Sequence, residues 1–447
     1  MFENLIFKIK IFVFALPLLA AMTASDAFSA QAYVSSATEL NSAIGNAVSG
    51  DTITVTQDFA ADADIAVIDA LDITISADGA AERFLSGGGA YKGFNITNST
   101  AAINGVNLSD FRNNTAGYVD SYGGAIYSKN STVSYSGDNI IFSGNTSSSK
   151  ESSSGGAIYS DSSSFVFDSP GNIGFYSNTS HADSISYWIY SYGGAIAASG
   201  AGSLFSFRGG GDINFFSNTV YESDKYNYNL GHSYAYGGAI YAKDGNSFSF
   251  SGLGNINFSS NTSYSYSYGS GSQAYGYGGA IYASTKNSFD FDSSGNIIFS
   301  SNTAYGFADS SGSGFGGAIY ASGLNSFVFR SLGNIDFSNN LAHGSSSGRG
   351  GAVYAENQNS FSFDGYGDIV FSNNSAFCGV FGFGGAIYAG SNNSFAFNGS
   401  GNIIFLNNSA LSDSYGFGYG GAIYAYGQNS FSFAGSGDIV FSNNSAS

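Results

Sequence analysis

Two short phrases alternate along this chain, and the fixed distance between them limits its fold more than any other feature of its 447 residues. The first is Gly-Gly-Ala followed by Ile or Val, beginning at Gly123, Gly155, Gly193, Gly237, Gly278, Gly316, Gly350, Gly384 and Gly420. The second is Phe-x-x-Asn, closing on Asn145, Asn178, Asn218, Asn261, Asn302, Asn340, Asn374, Asn408 and Asn444, with an extra copy from Phe111 to Asn114 ahead of the series. From the first Gly to the Phe the distance is 19, 20 and 22 residues in the first three copies and 21 in the other six. From each Asn to the next Gly-Gly it varies between 10 and 19. A rigid core with one elastic joint is the signature of a solenoid whose insertions emerge on one side. The elastic stretches, filled with Ser, Tyr and Gly, read as loops.

Inside the rigid part, pairs such as Phe248/Phe250 and Phe289/Phe291 place two rings on one face of a strand. Ile256 and Phe258 repeat that alternation. Ile240 is expected to face inward and Tyr241 outward, so the tyrosines Tyr127, Tyr159, Tyr241, Tyr282, Tyr320, Tyr354, Tyr388 and Tyr424 form an outward row interrupted at Ala197. Three strands per repeat with Gly, Asn or Asp turns match one coil of a parallel β-helix, an all-β, pectin-lyase-like solenoid. Equivalent residues would stack about 4.8 Å apart, and ten coils would give a rod of about 48 Å plus its cap. Gly-Gly then reads as a corner with no room for Cβ atoms. The repeated Asn reads as a buried ladder in which each amide bonds the next coil, a better account than a glycosylation acceptor.

Residues 1–29 read as a secretory signal: Lys8 and Lys10 precede an apolar run from Ile11 to Met22, with small-residue cleavage patterns near Ala27 and Ser29. Residues 30–110 read as an N-terminal cap with the first coils. Ser36-Ala37-Thr38-Glu39 is a capping box, and Leu40, Ile44 and Val48 share a helical face up to Gly50. Strands are expected over 51–55, 68–75 and 93–97. Residues 111–447 form the repeat region. The net charge of −18, from 31 acidic and 13 basic residues without a basic run, argues against nucleic acid or anionic lipid as partners. The lone Cys378 forbids an intrachain disulfide and reads as a tolerated loop residue.

With both phrases in view, the chain resembles the polymorphic outer membrane proteins of chlamydiae and related autotransporter passengers, whose hallmark is tandem Gly-Gly-Ala-Ile/Leu/Val alternating with Phe-x-x-Asn. The resemblance covers residues 111–447. It implies a right-handed β-helix secreted to the bacterial surface or outer membrane and acting in adhesion, with a host-cell or matrix component, protein or glycan, as partner. Members usually continue into a C-terminal membrane barrel, whereas this sequence stops at Ser447 after a Phe-x-x-Asn, so it reads as a fragment or as a chain exported another way. The family's frequent cysteines are also missing, apart from Cys378.

The competing reading is a β-helical polysaccharide lyase or hydrolase, which would cluster Asp with Arg or Lys. Asp212, Asp368 and Asp438 share their turn position with Asn172, Asn255, Asn296, Asn334 and Asn402, so that position calls for a turn former. Arg208, Lys243, Lys286 and Arg330 do not recur opposite those acids, and Gly209 to Asp212 is too isolated for a calcium repeat. His181, His232 and His343 fall in the elastic stretches and read as solvated. No cofactor or metal motif is present. The candidate contact loops carry Tyr187, Trp188, Tyr190, Tyr221, Tyr226, Tyr228, Tyr234, Tyr264, Tyr266 and Tyr268, a Tyr/Ser/Gly composition suited to adaptable surfaces. A third reading is a rod that self-associates through an uncapped final coil.

Overall fold

The computed structural model describes residues 30–79, 81–115, 119–183, 188–223, 231–413 and 416–447. The expected signal segment, 1–29, lies outside the described residues. The chain is a parallel β-helix whose strands stack into five sheets of 13, 12, 11, 10 and 9 strands. Every strand pair is in-register and parallel; for example, Phe248 lies against Phe289, and Phe289 against Phe327. At the usual strand spacing the thirteen-stranded sheet extends about 58 Å along the axis.

Three sheets enclose a triangular core, one from each rigid phrase. In one coil these are Ile281–Thr285, Ser288–Ser293 and Ile297–Ser300. Their inward residues form continuous columns. The Phe205, Phe248, Phe289, Phe327 and Phe361 rings stack at 4.8 to 4.9 Å, and the Phe215, Phe258, Phe299 and Phe337 rings at 4.7 to 4.9 Å. A third column, Phe207, Phe250, Phe291 and Phe329, meets the Phe215-to-Phe337 column edge to face, as Phe250 meets Phe258 at 5.7 Å and 83°, the preferred geometry for aromatic quadrupoles.

The corners follow from backbone geometry. Gly278 has φ +59, and a Cβ on it would lie 2.1 Å from the Ile281 carbonyl oxygen. Gly279 has an ordinary φ, yet its Cβ would lie 2.1 Å from the carbonyl oxygen of Gly317 in the next coil. One glycine makes the turn, and the other lets two coils touch.

Buried Asn residues line the next corner. Asn302 accepts at Oδ1 from both the backbone N–H and the Nδ2 of Asn261, each at 3.0 Å. Its own Nδ2 donates to the Phe258 carbonyl at 2.8 Å and to Asn340 Oδ1 at 3.0 Å. The arrangement runs from Asn145 to Asn444, so each amide satisfies a neighbour's donors in a site without water access. A second ladder, unassigned by the sequence reading, runs through Asn246, Asn287, Asn325, Asn359, Asn393 and Asn429. Its signal was the recurring Asn-Ser-Phe.

Asn114 is not a ladder residue. Leu108 pairs with Phe142, so Phe111 occupies the ladder corner and donates its N–H to Asn145 Oδ1 at 3.0 Å. Asn114 sits three residues further on, exposed on the strand Arg112–Asn114. The apparent Phe-x-x-Asn there is out of phase with the coils.

At the N-terminal end, helix α1 (Ala37–Asn46) covers the first coil with Ala37, Leu40 and Ile44 buried. Ser36 Oγ accepts from the Glu39 N–H, and the Glu39 carboxylate accepts from the N–H and hydroxyl of Ser35. The helix stops before Val48, which is 54% exposed and not on its buried face. The strand expected over 68–75 is two strands, Val67–Asp69 and Asp72–Ala77, because Ala70 turns a corner with φ +54.

Candidate binding surface

The described parts of the elastic stretches are built around strands, not loops. Each contributes two strands, one leading away from the core and one returning, as in Thr262–Ser267 and Gln273–Tyr277. Stacked over successive coils, they form the ten- and nine-stranded sheets, which pack face to face as a fin projecting from one corner of the triangle. Length variation hides these sheets in the sequence, because strands of unequal length can still pair in register near the base.

The alternation in these stretches carries the explanation. In Tyr264-Ser265-Tyr266 and Tyr275-Gly276-Tyr277 the small residues face inward and the rings outward. The inner rows are Ser147, Ser180, Ser263, Ala304 and Ala342 on one sheet and Ser121, Ser153, Ser191 and Ala235 on the other, all fully buried. Glycines complete the second row. A Cβ on Gly276 would lie 2.5 Å from the Tyr305 carbonyl oxygen, and one on Gly314 would lie 2.3 Å from that of Ala304. The two backbones therefore approach too closely for larger side chains. Toward the N-terminal end, Ser hydroxyls bridge the sheets: Ser147 Oγ donates to Ser121 Oγ at 2.9 Å, and Ser153 Oγ to the Ser147 carbonyl at 2.7 Å.

Val220 and Ile189, fully buried in register with Ser180 and Ser233, depart from this inner pattern, as do Cys378 and Glu222. Cys378 is buried in the interface and not in a loop; burial pushes its thiol above the ordinary value. Glu222 is completely buried in register with Ala182 and Ser265. Its Oε2 accepts from the Tyr234 N–H at 2.7 Å, and desolvation raises its carboxyl well above the usual range.

The outward rings form columns. Tyr221, Tyr264 and Tyr305 stack at 5.2 and 4.8 Å on the outbound sheet. Tyr190, Tyr234 and Tyr275 stack at 5.2 Å on the return sheet, with Trp188 beside Tyr234. Trp188 is 51% exposed and Tyr268 is 42% exposed, while the columned tyrosines are half-buried. Tyr187, Tyr226 and Tyr228 lie outside the described residues. The histidines also belong to these sheets and not to solvated loops: His343 rests between Tyr305 and Phe377, and burial lowers its basicity.

The expected outward row from Tyr127 to Tyr424 is present in register, but it does not form an open face. The fin's return sheet folds over it, placing Tyr236 edge-on against Tyr282 at 4.9 Å and Tyr277 against Tyr320 at 5.0 Å. Tyr320 and Tyr354 are only 7% and 6% exposed. Burial raises the Tyr320 phenol well above its ordinary value. Arg349 enters the same corner with its guanidinium over Phe315, Phe383 and Tyr388 at 5.3 to 5.7 Å.

The acids weighed for catalysis lie elsewhere. Asp212 Oδ1 accepts the Asn255 N–H at 2.7 Å, Asn255 Oδ1 accepts the Asn296 N–H at 2.8 Å, and Asp368 Oδ1 accepts the Asn402 N–H at 2.7 Å. Either side chain supplies the needed acceptor, which explains why Asn and Asp interchange there. Arg330 pairs with Asp290 on the outer face of the Phe-x-Phe sheet. Among the described residues no group of three His, Cys, Asp or Glu side chains could hold a metal ion, and no helix is long and apolar enough to cross a membrane.

Seven stretches match the model of the Chlamydia polymorphic membrane protein repeat: residues 109–129, 139–161, 255–284, 296–322, 334–356, 368–390 and 402–426. No curated protein matches the chain. Among solved structures, a PL6 family polysaccharide lyase from Pseudopedobacter saltans is similar over 93% of each chain, at 12% identity and a TM-score of 0.28. That likeness is too low to bear on fold or chemistry. The repeat family points to a surface, autotransporter-type passenger. The coils of this chain are thus built in large part from repeats of the chlamydial polymorphic membrane protein type.

Proposed function

We propose that the chain is a non-catalytic surface adhesin whose fin contacts a host-cell or matrix component. The carrying observation is the fin itself, two closely packed sheets with Tyr columns and Trp188 on their outer faces. Rings stacked on each other expose edges and hydroxyls, a stiff amphipathic surface that loses little side-chain entropy when it binds. The turn column of Asp and Asn supports the same reading, because those carboxylates serve backbone N–H groups.

The test is attachment of the full chain to cultured epithelial monolayers and to wells coated with fibronectin, collagen or heparan sulfate. Replacing Tyr190, Tyr234 and Tyr275 together by Ser should weaken attachment while far-UV circular dichroism is unchanged. Undiminished attachment by that variant would remove the fin's return face from the contact. Release of unsaturated or reducing sugar from acidic polysaccharides would instead favour a glycan-cleaving enzyme.

A further inference from the structure

We propose that the outward tyrosine columns of the fin are sites of oxidative cross-linking, in which tyrosines of successive coils join as dityrosine. Register and access single out these columns. Tyr221 pairs with Tyr264, and Tyr264 with Tyr305, at centroid distances of 5.2 and 4.8 Å and interplanar angles of 13° and 1°. On the other face Tyr190, Tyr234 and Tyr275 repeat the arrangement at 5.2 Å with angles of 18° and 23°. In-register stacking lays the ring carbons next to each phenolic oxygen over their counterparts in the adjacent coil. A rigid sheet thus turns a bimolecular radical encounter into a local one.

Access selects among the columns. The fin tyrosines are half-buried, so an oxidant reaches their edges, whereas Tyr320 and Tyr354 are covered in the inner corner. The single cysteine excludes an intrachain disulfide, leaving phenol coupling as a covalent tie suited to these surfaces.

The reaction balances with hydrogen peroxide acting through a haem peroxidase. Two tyrosines each lose one electron and the phenolic proton, and one peroxide is reduced to two waters. The two radicals couple through ring carbons ortho to oxygen, forming one carbon–carbon bond. The hydrogens on the joined carbons leave as protons while both oxygens regain theirs, restoring two phenols.

The experiment treats the dilute full chain with peroxide and horseradish peroxidase, reading dityrosine fluorescence and identifying linked peptides by mass spectrometry. The expected products are the Tyr221–Tyr264, Tyr264–Tyr305, Tyr190–Tyr234 and Tyr234–Tyr275 pairs in chains that stay monomeric on a denaturing gel. Tyr264→Phe keeps the ring stack and removes the phenol; it should abolish both pairs containing Tyr264 and leave those containing Tyr234. Absence of dityrosine, linkage mainly between molecules, or an unchanged pair distribution from the urea-unfolded chain would each overturn the proposal.

Discussion

The triangular core and the fin use the same in-register stacking with inside and outside exchanged. In the core, Phe columns point inward and fill the volume between three sheets. In the fin, Ser, Ala and Gly point inward and the rings stand outside. Large inward side chains hold sheets apart around a wide core, while small ones let two backbones close directly on each other. The core gains stability from buried apolar area. The fin buries little per residue and depends on strand pairing, close backbone contact and stacking along its faces.

Phe299→Ala should break this comparison most strongly on the core side. Truncating a buried Phe costs about 3–5 kcal/mol, and the vacated place in the column interrupts contacts to Phe258 and Phe337. Thermal and urea denaturation followed by circular dichroism would measure it; a loss no greater than that of the fin tyrosine variant below would contradict the assignment. Next comes Asn302→Ala, which deprives the Asn261 N–H of its acceptor and removes a donor from the Phe258 carbonyl. The expected cost is about 1–3 kcal/mol for each buried group left unpaired, read in the same denaturation experiment.

Gly276→Val tests the fin's close approach. Overpacking of this kind costs about 1–3 kcal/mol, and here it should appear as faster amide hydrogen exchange over residues 262–277 with the Phe-x-Phe strands unaffected. Uniform loss of protection would mean that core and fin open together.

Glu222→Gln separates the two regions by pH. The folded carboxyl titrates above the ordinary value of 4.5 because it is buried. Below 4.5 both folded and unfolded chains are protonated there and stability does not change; above it only the unfolded chain releases the proton, so stability falls as pH rises toward the folded value. The Gln variant should remove that decline. Parallel pH–stability curves for the two proteins would show that the carboxyl is not held protonated. The smallest effect is expected for Tyr264→Ser, which loses two cross-strand ring contacts on an outer face, about 0.2–1 kcal/mol each.

The core was legible because each of its constraints recurs at the same spacing. Gly278 and Gly279 mark a corner, Phe289 and Phe291 a strand face, and Asn302 a buried amide, and the repetition distinguishes them from chance. Asn114 shows the limit of reading by wording: the tetrapeptide from Phe111 is complete, yet Leu108 fixes the phase of its coil. The fin was hidden by its variable length and by a Tyr-small-Tyr alternation that also suits a loop. Glu222 gave no local signal, since its burial depends on strands from neighbouring coils.

The sequence by itself determined the solenoid, because period, corner glycines and inward aromatics are local properties repeated until only stacking satisfies them. Only the tertiary structure decided that the joints between repeats form two further sheets, and that the Tyr127-to-Tyr424 row lies in a covered corner while the Tyr221-to-Tyr305 and Tyr190-to-Tyr275 columns stand on the fin's outer faces. Those outcomes depend on which surface of one coil meets the next, a relation set by the close approach of backbones at residues such as Gly276 and Gly314.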